Sequence, residues 1–240
     1  MTKLKNKLKK LLRHDSALHP VRKEERLHVA DISNRATHQR MRQINKEFKQ
    51  AFKLLRNHKN TVTFFGSARL DPDNLYYKQA RDLADLIVRE TGASVITGGG
   101  PGIMEAANRG AADEHGNSIG MTIQLPMEQV TNEYVNRSVD FYYFFSRKVA
   151  LSFAARAYIY FPGGFGTLDE FFEILTLKQT ERIKPVPIIL VGSDFWKPLD
   201  SYIKNELVKT YKTIDPEDVN LYTITDDNEA VLRLVKAYKG

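Results

Sequence analysis

The sequence predicts an α/β fold: a Rossmann-like, open, doubly wound sheet, mostly parallel, with helices on both faces and a basic helical extension in front of it. Three observations predict this. Short strand-forming runs alternate with amphipathic stretches from residue 61 to the end of the 240-residue chain, an order that gives parallel strands joined by helices. Such crossovers are right-handed, so the sheet is wound on both faces. Three glycine-rich turns each follow a strand, which gathers them at the carboxyl edge, where open α/β sheets bind ligands.

The elements follow in order. Met1–Leu12 alternates Lys with Leu or Asn and is expected to fray. From Arg40, the apolar residues Met41, Ile44, Phe48, Phe52 and Leu55 recur at spacings of three and four, which predicts an amphipathic helix that lays one stripe on the body or on a partner chain. Thr61–Phe65 is a strand, followed at once by Gly66-Ser67. Tyr76–Glu90 is a helix with Ala80, Leu83, Ala84 and Ile87 on one side. Strand Ser94–Thr97 runs into Gly98-Gly99-Gly100, helix Ile103–His115 into strand Ser118–Leu125. Helix Ser146–Ala155, strand Ala157–Phe161, helix Leu168–Thr180, strand Val186–Val191, helix Phe195–Thr210, strand Leu221–Ile224 and helix Asn228–Tyr238 complete the series. Two parts result, a basic, largely helical extension over 1–59 and a Rossmann-like domain over 60–240.

Composition bounds the chemistry. With no cysteine, disulfides, zinc–thiolate sites, iron–sulfur clusters and thiolate nucleophiles are excluded. No apolar run approaches the ~20 residues of a membrane span, and the Lys-rich start lacks the apolar core of a secretory signal, so a cytoplasmic protein is expected. The net charge of +7 is uneven: residues 1–60 hold 17 basic and 5 acidic side chains, net +12, leaving −5 for the rest. A basic arm can touch nucleic acid or anionic lipid by charge alone. No zinc-finger or aromatic-basic RNA-binding pattern accompanies it, so a solvated tether or docking arm is favoured over nucleic-acid binding.

The three glycine turns carry the functional signal. In the first, Gly66-Ser67-Ala68-Arg69, backbone N–H groups can face a ligand, Ser67 adds a hydroxyl and Arg69 a cation that could counter a phosphate. Tight turns need glycine in any case. The second is Gly98-Gly99-Gly100-Pro101-Gly102. The helix after it offers free N–H groups and a positive dipole end to an anion. Its spacing is neither the dinucleotide fingerprint nor a Walker A loop. Glu105, in the first turn of that helix, can cap it or reach a ligand hydroxyl. The third is Pro162-Gly163-Gly164-Phe165-Gly166-Thr167-Leu168-Asp169-Glu170, a phosphate cradle by geometry. Thr167 and Glu170 also have the spacing of a capping box. Two carboxylates beside a phosphate nest weaken its field, unless one of them acts on the sugar next to the phosphate. Upstream, the five aromatics Phe141–Phe145 exceed what one face can bury, which leaves a base pocket and a core or subunit contact both open. Arg147 and Lys148 open the next helix against its dipole, so each calls for a negative partner.

These motifs together resemble the LOG (Lonely Guy) family of nucleotide phosphoribohydrolases, often described as lysine decarboxylases. The signature P-G-G-x-G-T-x-x-E is met by Pro162 to Glu170 without departure. G-G-G-x-x-G-x-M is met by Gly98 to Met104, and the GSAR turn and the Arg147-Lys148 pair also match. The resemblance covers roughly residues 60–240. It implies hydrolysis of the N-glycosidic bond of a nucleoside 5′-monophosphate, AMP or an N6-modified AMP (a cytokinin ribotide), to free base and ribose 5-phosphate, with roles in cytokinin activation or purine salvage. It implies Glu170 and Arg147 as catalytic residues and no metal or organic cofactor. Gly163, Gly164, Gly166 and Thr167 become the phosphate loop, beside Gly99, Gly100 and Gly102. Gly66, Ser67, Arg69, Glu105 and Lys148 become further substrate contacts. It also implies dimers or assemblies of dimers. Plant-type members often read Met-His-x-Arg-Lys where this chain reads Phe144-Phe145-Ser146-Arg147-Lys148, a departure that bears on the preferred base and not on the chemistry.

The residues suit that reaction. Cleaving the bond to the base develops positive charge on the ribose. A carboxylate near C1′ stabilises it and orients or deprotonates the attacking water, which is the role for Glu170. Asp169 points about 100° away around the helix. Arg147 holds its proton too tightly to act as the acid and is cast as a clamp on substrate. A decarboxylase would need a Schiff-base lysine, for which Lys148 is the one candidate, its pKa lowered by Arg147. A non-catalytic nucleotide-binding sensor could use the same loops, but it would have no need of Glu170.

Overall fold

The computed structural model describes residues 33–124, 131–153 and 155–238. The expected fraying of Met1–Leu12 lies outside them. Helix α1 (Asn34–Asn57) starts six residues before the apolar pattern does, because the Ser33 hydroxyl oxygen accepts from the Ala36 N–H at 3.3 Å and caps it. The remaining elements are β1 (Thr61–Phe65), α2 (Leu75–Thr91), β2 (Ser94–Thr97), α3 (Ile103–Asp113), β3 (Ser118–Ile123), β4 (Arg137–Phe141), α4 (Phe144–Ser152), β5 (Tyr158–Tyr160), α5 (Phe165–Gln179), β6 (Ile188–Leu190), α6 (Ser193–Tyr202), β7 (Thr223–Ile224) and α7 (Asn228–Ala237).

The seven strands form one sheet in the order β4-β3-β2-β1-β5-β6-β7, parallel at every pair. The chain winds outward from β1 through β2, β3 and β4, then returns to β5 on the other side of β1. The β1/β5 boundary is therefore the topological switch point, where the loops leaving two neighbouring strands part to opposite faces and open a crevice.

Side-chain alternation along the strands builds two cores. Val62, Phe64, Val95, Ile159 and Ile189 face α2, α3 and α7. Ile96, Met121, Tyr158, Tyr160, Ile188 and Leu190 face the other layer, with Phe171 of α5 and Trp196 of α6 fully buried among them. Central strands buried on both faces have no polar alternation, so their runs stand out in the sequence.

Three elements differ from expectation. Strand β4 has no counterpart among the predicted elements. It is an edge strand, with only Val139 and Phe141 buried while Arg137, Ser138 and Asp140 are exposed, so its sequence carries little apolar signal. Helix α6 passes at Ile203 into π turns over Ile203–Thr210, with the Tyr211 N–H bonded to the Glu206 carbonyl. On α1 the packed face is Glu47 and Ala51, both fully buried, while Met41 and Phe52 of the expected stripe are exposed. The helix lies on α4 and β4 of the body. Among the described residues, no helix is long and apolar enough to cross a membrane.

Candidate active site

The three glycine turns meet at the switch point and hold one another. The Ser67 N–H donates to the Pro162 carbonyl at 2.9 Å, and the Ile103 N–H donates to the Ser67 carbonyl at 3.0 Å. Above them lies a cavity of about 820 Å³, a volume suited to a small organic ligand. The first turn lines it with Gly66, Ser67 and Arg69, the second with Gly98 and Met104, and the third with Gly163, Gly164 and Phe165 through Glu170. Arg147 and Phe144 of α4 complete the wall opposite α5.

The second turn does less toward the cavity than its sequence suggests. The structure places Gly99, Gly100 and Gly102 outside the lining, where close packing accounts for two of them. A Cβ on Gly102, at φ +71°, would stand 2.3 Å from the Ser67 carbonyl oxygen, and one on Gly99 would stand 2.7 Å from Thr122. Gly98 does reach the cavity, and its missing side chain makes room for Arg147: a Cβ there would lie 2.4 Å from the guanidinium. Glu105 also lies outside the lining. Its carboxylate accepts from the Tyr77 hydroxyl at 2.7 Å and makes no cap hydrogen bond.

The third turn departs from the capping-box expectation. The N-cap of α5 is Gly164, not Thr167, and the first helical N–H···O bond runs from Leu168 to the Gly164 carbonyl at 3.1 Å. The N–H groups of Phe165, Gly166 and Thr167 thus begin the helix without intrahelical partners, at the end where the dipole favours an anion. The space around Gly164 and Gly166 is open, whereas a Cβ on Gly163 would run into Thr167. Glu170, well inside the helix, is four residues past Gly166 and shares its face.

Glu170 is 7% exposed, and one of its carboxylate oxygens, Oε2, has no hydrogen-bond partner. Burial raises its pKa to about 7. Arg147 and Lys148 pull the other way, and Glu173 and Asp169 add to the rise. Leaving such an oxygen unpaired is costly, and a pKa moved this far inside a cleft makes Glu170 a candidate for function. Arg147, across the cavity, donates from Nε to the Met121 carbonyl at 2.7 Å. Burial lowers its pKa against the opposing pull of Glu170, and the two form no ion pair. Its remaining guanidinium donors are available to a ligand.

Lys148 is turned elsewhere. It lies outside the cavity lining and bridges Asp169 at 2.9 Å and Glu173 at 2.8 Å, one turn apart on α5. Burial pulls its pKa down, but the two carboxylates outweigh burial and carry it up to about 12. This corrects the expectation of a pKa lowered by Arg147. The negative partner of Lys148 is an acidic neighbour. Of the aromatic run, Phe141 is core, Phe144 lines the cavity, and Phe145 is exposed. The run spans a strand end and a helix start, so its side chains point different ways. Arg69 forms no ion pair among the described residues, and its N–H donates to the Ser67 hydroxyl oxygen at 3.1 Å.

A family model described as "Possible lysine decarboxylase" matches residues 104–235, more than half of the chain. The chain belongs to this family, the LOG family. It is 24% identical over 179 residues to a cytokinin riboside 5′-monophosphate phosphoribohydrolase of Rhodococcoides fascians, covering 74% of this chain and 89% of the relative. It is 30% identical over 162 residues to the pyrimidine/purine nucleotide 5′-monophosphate nucleosidase of Escherichia coli strain K12, covering 62% of this chain but only 35% of that longer protein. Among solved structures, the molybdenum cofactor carrier protein of Chlamydomonas reinhardtii superposes with a TM-score of 0.55 at 19% identity, covering 75% of this chain and 97% of the other. That likeness speaks for the fold alone. The decarboxylase description of this LOG chain does not fit its residues. Pyridoxal chemistry needs a lysine poised as a nucleophile, yet among the described residues no lysine lines the cavity, and Lys148 is held protonated.

Proposed function

We propose that this chain hydrolyses the N-glycosidic bond of a nucleoside 5′-monophosphate, AMP or an N6-modified AMP, releasing the free base and ribose 5-phosphate. One observation carries the reading. The buried, unpartnered carboxylate oxygen of Glu170 shares a helix face with the open N-terminal turn of α5, about one turn away, or roughly 5–6 Å. That separation is about the reach of a furanose ring between its 5′-phosphate and C1′. A cradle for phosphate alone would not set a carboxylate there. The two relatives' names, one a cytokinin ribotide hydrolase and the other a broad nucleotide nucleosidase, agree with the reaction class.

In this reading the phosphate sits on the free N–H groups of Phe165 to Thr167, with Arg69 as its cation. Glu170 works as the carboxylate. It faces the positive charge that grows on the ribose as the C1′–N bond lengthens, and it orients the attacking water. The water oxygen bonds to C1′ and the water gives up one proton, the electron pair of the broken bond goes to the base nitrogen, and the base takes up one proton as it leaves. Arg147 clamps the substrate from the opposite wall with a planar fork of guanidinium donors. Phe144 offers an aromatic face to the base.

The enzyme is expected to act as a cytoplasmic homodimer. Phe145 and Phe153, at the two ends of α4, are exposed and are surface a second copy would cover. The deciding experiment is chromatographic product analysis with AMP, N6-isopentenyl-AMP, GMP, CMP and adenosine in parallel. Free base plus ribose 5-phosphate from a monophosphate, with adenosine untouched, is the expected result and ranks the bases. Calorimetric binding of AMP with no cleavage of any substrate would overturn the reading in favour of a nucleotide-binding protein.

A further inference from the structure

We infer that Glu47, on the N-terminal helix α1, is a positioning residue for Arg147, so that the extension forms part of the working site. The inference rests on the role proposed above for Arg147. Glu47 lies outside the residues that the family model matches, and on a largely basic helix it is a fully buried acidic residue, with Ala51 the other fully buried position. A buried carboxylate requires donors. Those of Glu47 come from the segment that carries Arg147: the Tyr142 N–H reaches Oε1 at 3.0 Å and the Ser146 hydroxyl donates to Oε2. Gln43, one turn back on α1, adds its side-chain N–H to Oε1 at 2.7 Å.

Three facts tie this contact to the site. Helix α4 has no side-chain cap of its own, its N-cap being Tyr143, so Glu47 supplies from another helix the anion that an N-terminus favours. The first turn of α4 also places two cations, Arg147 and Lys148, against the helix dipole. Lys148 is offset by Asp169 and Glu173, whereas Arg147 has no ion pair among the described residues. The Glu47 carboxylate is bonded to this turn through the Ser146 hydroxyl, while the charge that opposes burial at Arg147 is that of Glu170 across the cavity. Finally, Tyr142 and Ser146 bracket the start of α4. Fastening both fixes the turn from which the Arg147 guanidinium crosses to the Met121 carbonyl and the cavity.

The test is a double-mutant cycle on AMP hydrolysis by the full chain. Glu47→Ala is expected to lower kcat/KM by about tenfold or more, the scale of a slightly misplaced catalytic group. Glu47→Gln, which keeps the shape, and Ser146→Ala are expected to give smaller losses. In an Arg147→Ala background the Glu47 substitution is expected to add less than about twofold, because residues that act through one another are not additive. A Glu47 effect that multiplies undiminished in that background would mark a purely structural residue and overturn the inference. So would wild-type kinetics in Glu47→Gln. Should Glu47→Ala not fold, Glu47→Gln carries the cycle. If the wild-type chain hydrolyses no monophosphate, the reading of the site falls by itself. Glu47 is then judged by amide hydrogen exchange at Tyr142 and Arg147: faster exchange in Glu47→Gln keeps the anchor, and unchanged exchange removes it.

Discussion

At the scale of the residue, the proposed reaction turns on Glu170. Glu170→Gln is expected to bind AMP within roughly tenfold of wild type by calorimetry, while turnover falls at least ~100-fold, the loss expected for acid–base or electrostatic catalysis. Because the working form is the ionised carboxylate, kcat/KM should fall as pH drops through about 7, the pKa burial gives the free enzyme. A rate that instead rises below pH 7 would make Glu170 the acid. Stability runs the opposite way. With a folded pKa of about 7 against 4.5 unfolded, the native state binds the extra proton between those values. Stability therefore declines as pH rises through that window, and the full penalty, on the order of 3 kcal/mol, stands above pH 7. Glu170→Gln removes the penalty and should raise Tm by several degrees at pH 8 and by little near pH 4. Thermal unfolding at the two pH values tests this. A variant that is more stable and nearly inactive is the signature of strain held for function. The motif spacing pointed to Glu170. What the spacing could not show is that Thr167 does not cap the helix, and that Glu170 therefore has no structural duty there.

At the scale of the element, the start of α5 separates glycines the fold requires from glycines a ligand requires. A Cβ on Gly163 would lie 2.1 Å from the Thr167 hydroxyl, whereas one on Gly166 meets nothing within 4 Å. Gly163→Ala should thus cost about 1–3 kcal/mol by overpacking. Gly166→Ala should leave stability unchanged or raise it by up to about 1 kcal/mol, and yet raise KM for AMP tenfold or more, since the new methyl group stands where the phosphate would approach. Urea unfolding and steady-state kinetics on the same two proteins decide it, and an unchanged KM in Gly166→Ala would move the phosphate elsewhere. The second glycine turn gives the converse lesson. In sequence Gly98 to Gly102 looks like another anion cradle. In the fold most of its glycines admit neighbours: Ser67 against Gly102, Thr122 against Gly99 and the Arg147 guanidinium against Gly98. Each of those neighbours is distant in sequence or set by the register of another strand, so no local pattern could have named it.

At the scale of the whole molecule, the site exists because the strand order reverses between β1 and β5, and because α1 lies on the layer that holds Arg147. Deleting residues 1–32, ahead of the Ser33 cap, is expected to leave Tm and AMP turnover within twofold, because every described contact of the site comes later in the chain. Light scattering is expected to give a mass near twice the 27.5 kDa chain, and a monomer at working concentration would remove the dimer from the proposal. The family resemblance named the candidate pair Glu170 and Arg147, and the chain's own pattern named the central strands, the helices between them and the three glycine turns. Those follow from local causes: unbroken apolar runs in doubly buried strands, helical periodicity, and glycine where a strand turns into a helix. Long-range packing set the rest: β4 is an edge strand, Lys148 belongs to two carboxylates, Glu105 is occupied by Tyr77, and Glu47 is bonded to Tyr142 and Ser146 at the start of α4. Each of these depends on which groups meet after the chain has crossed the sheet. Burial and the charge of spatial neighbours set what a polar side chain can do, and sequence order records neither.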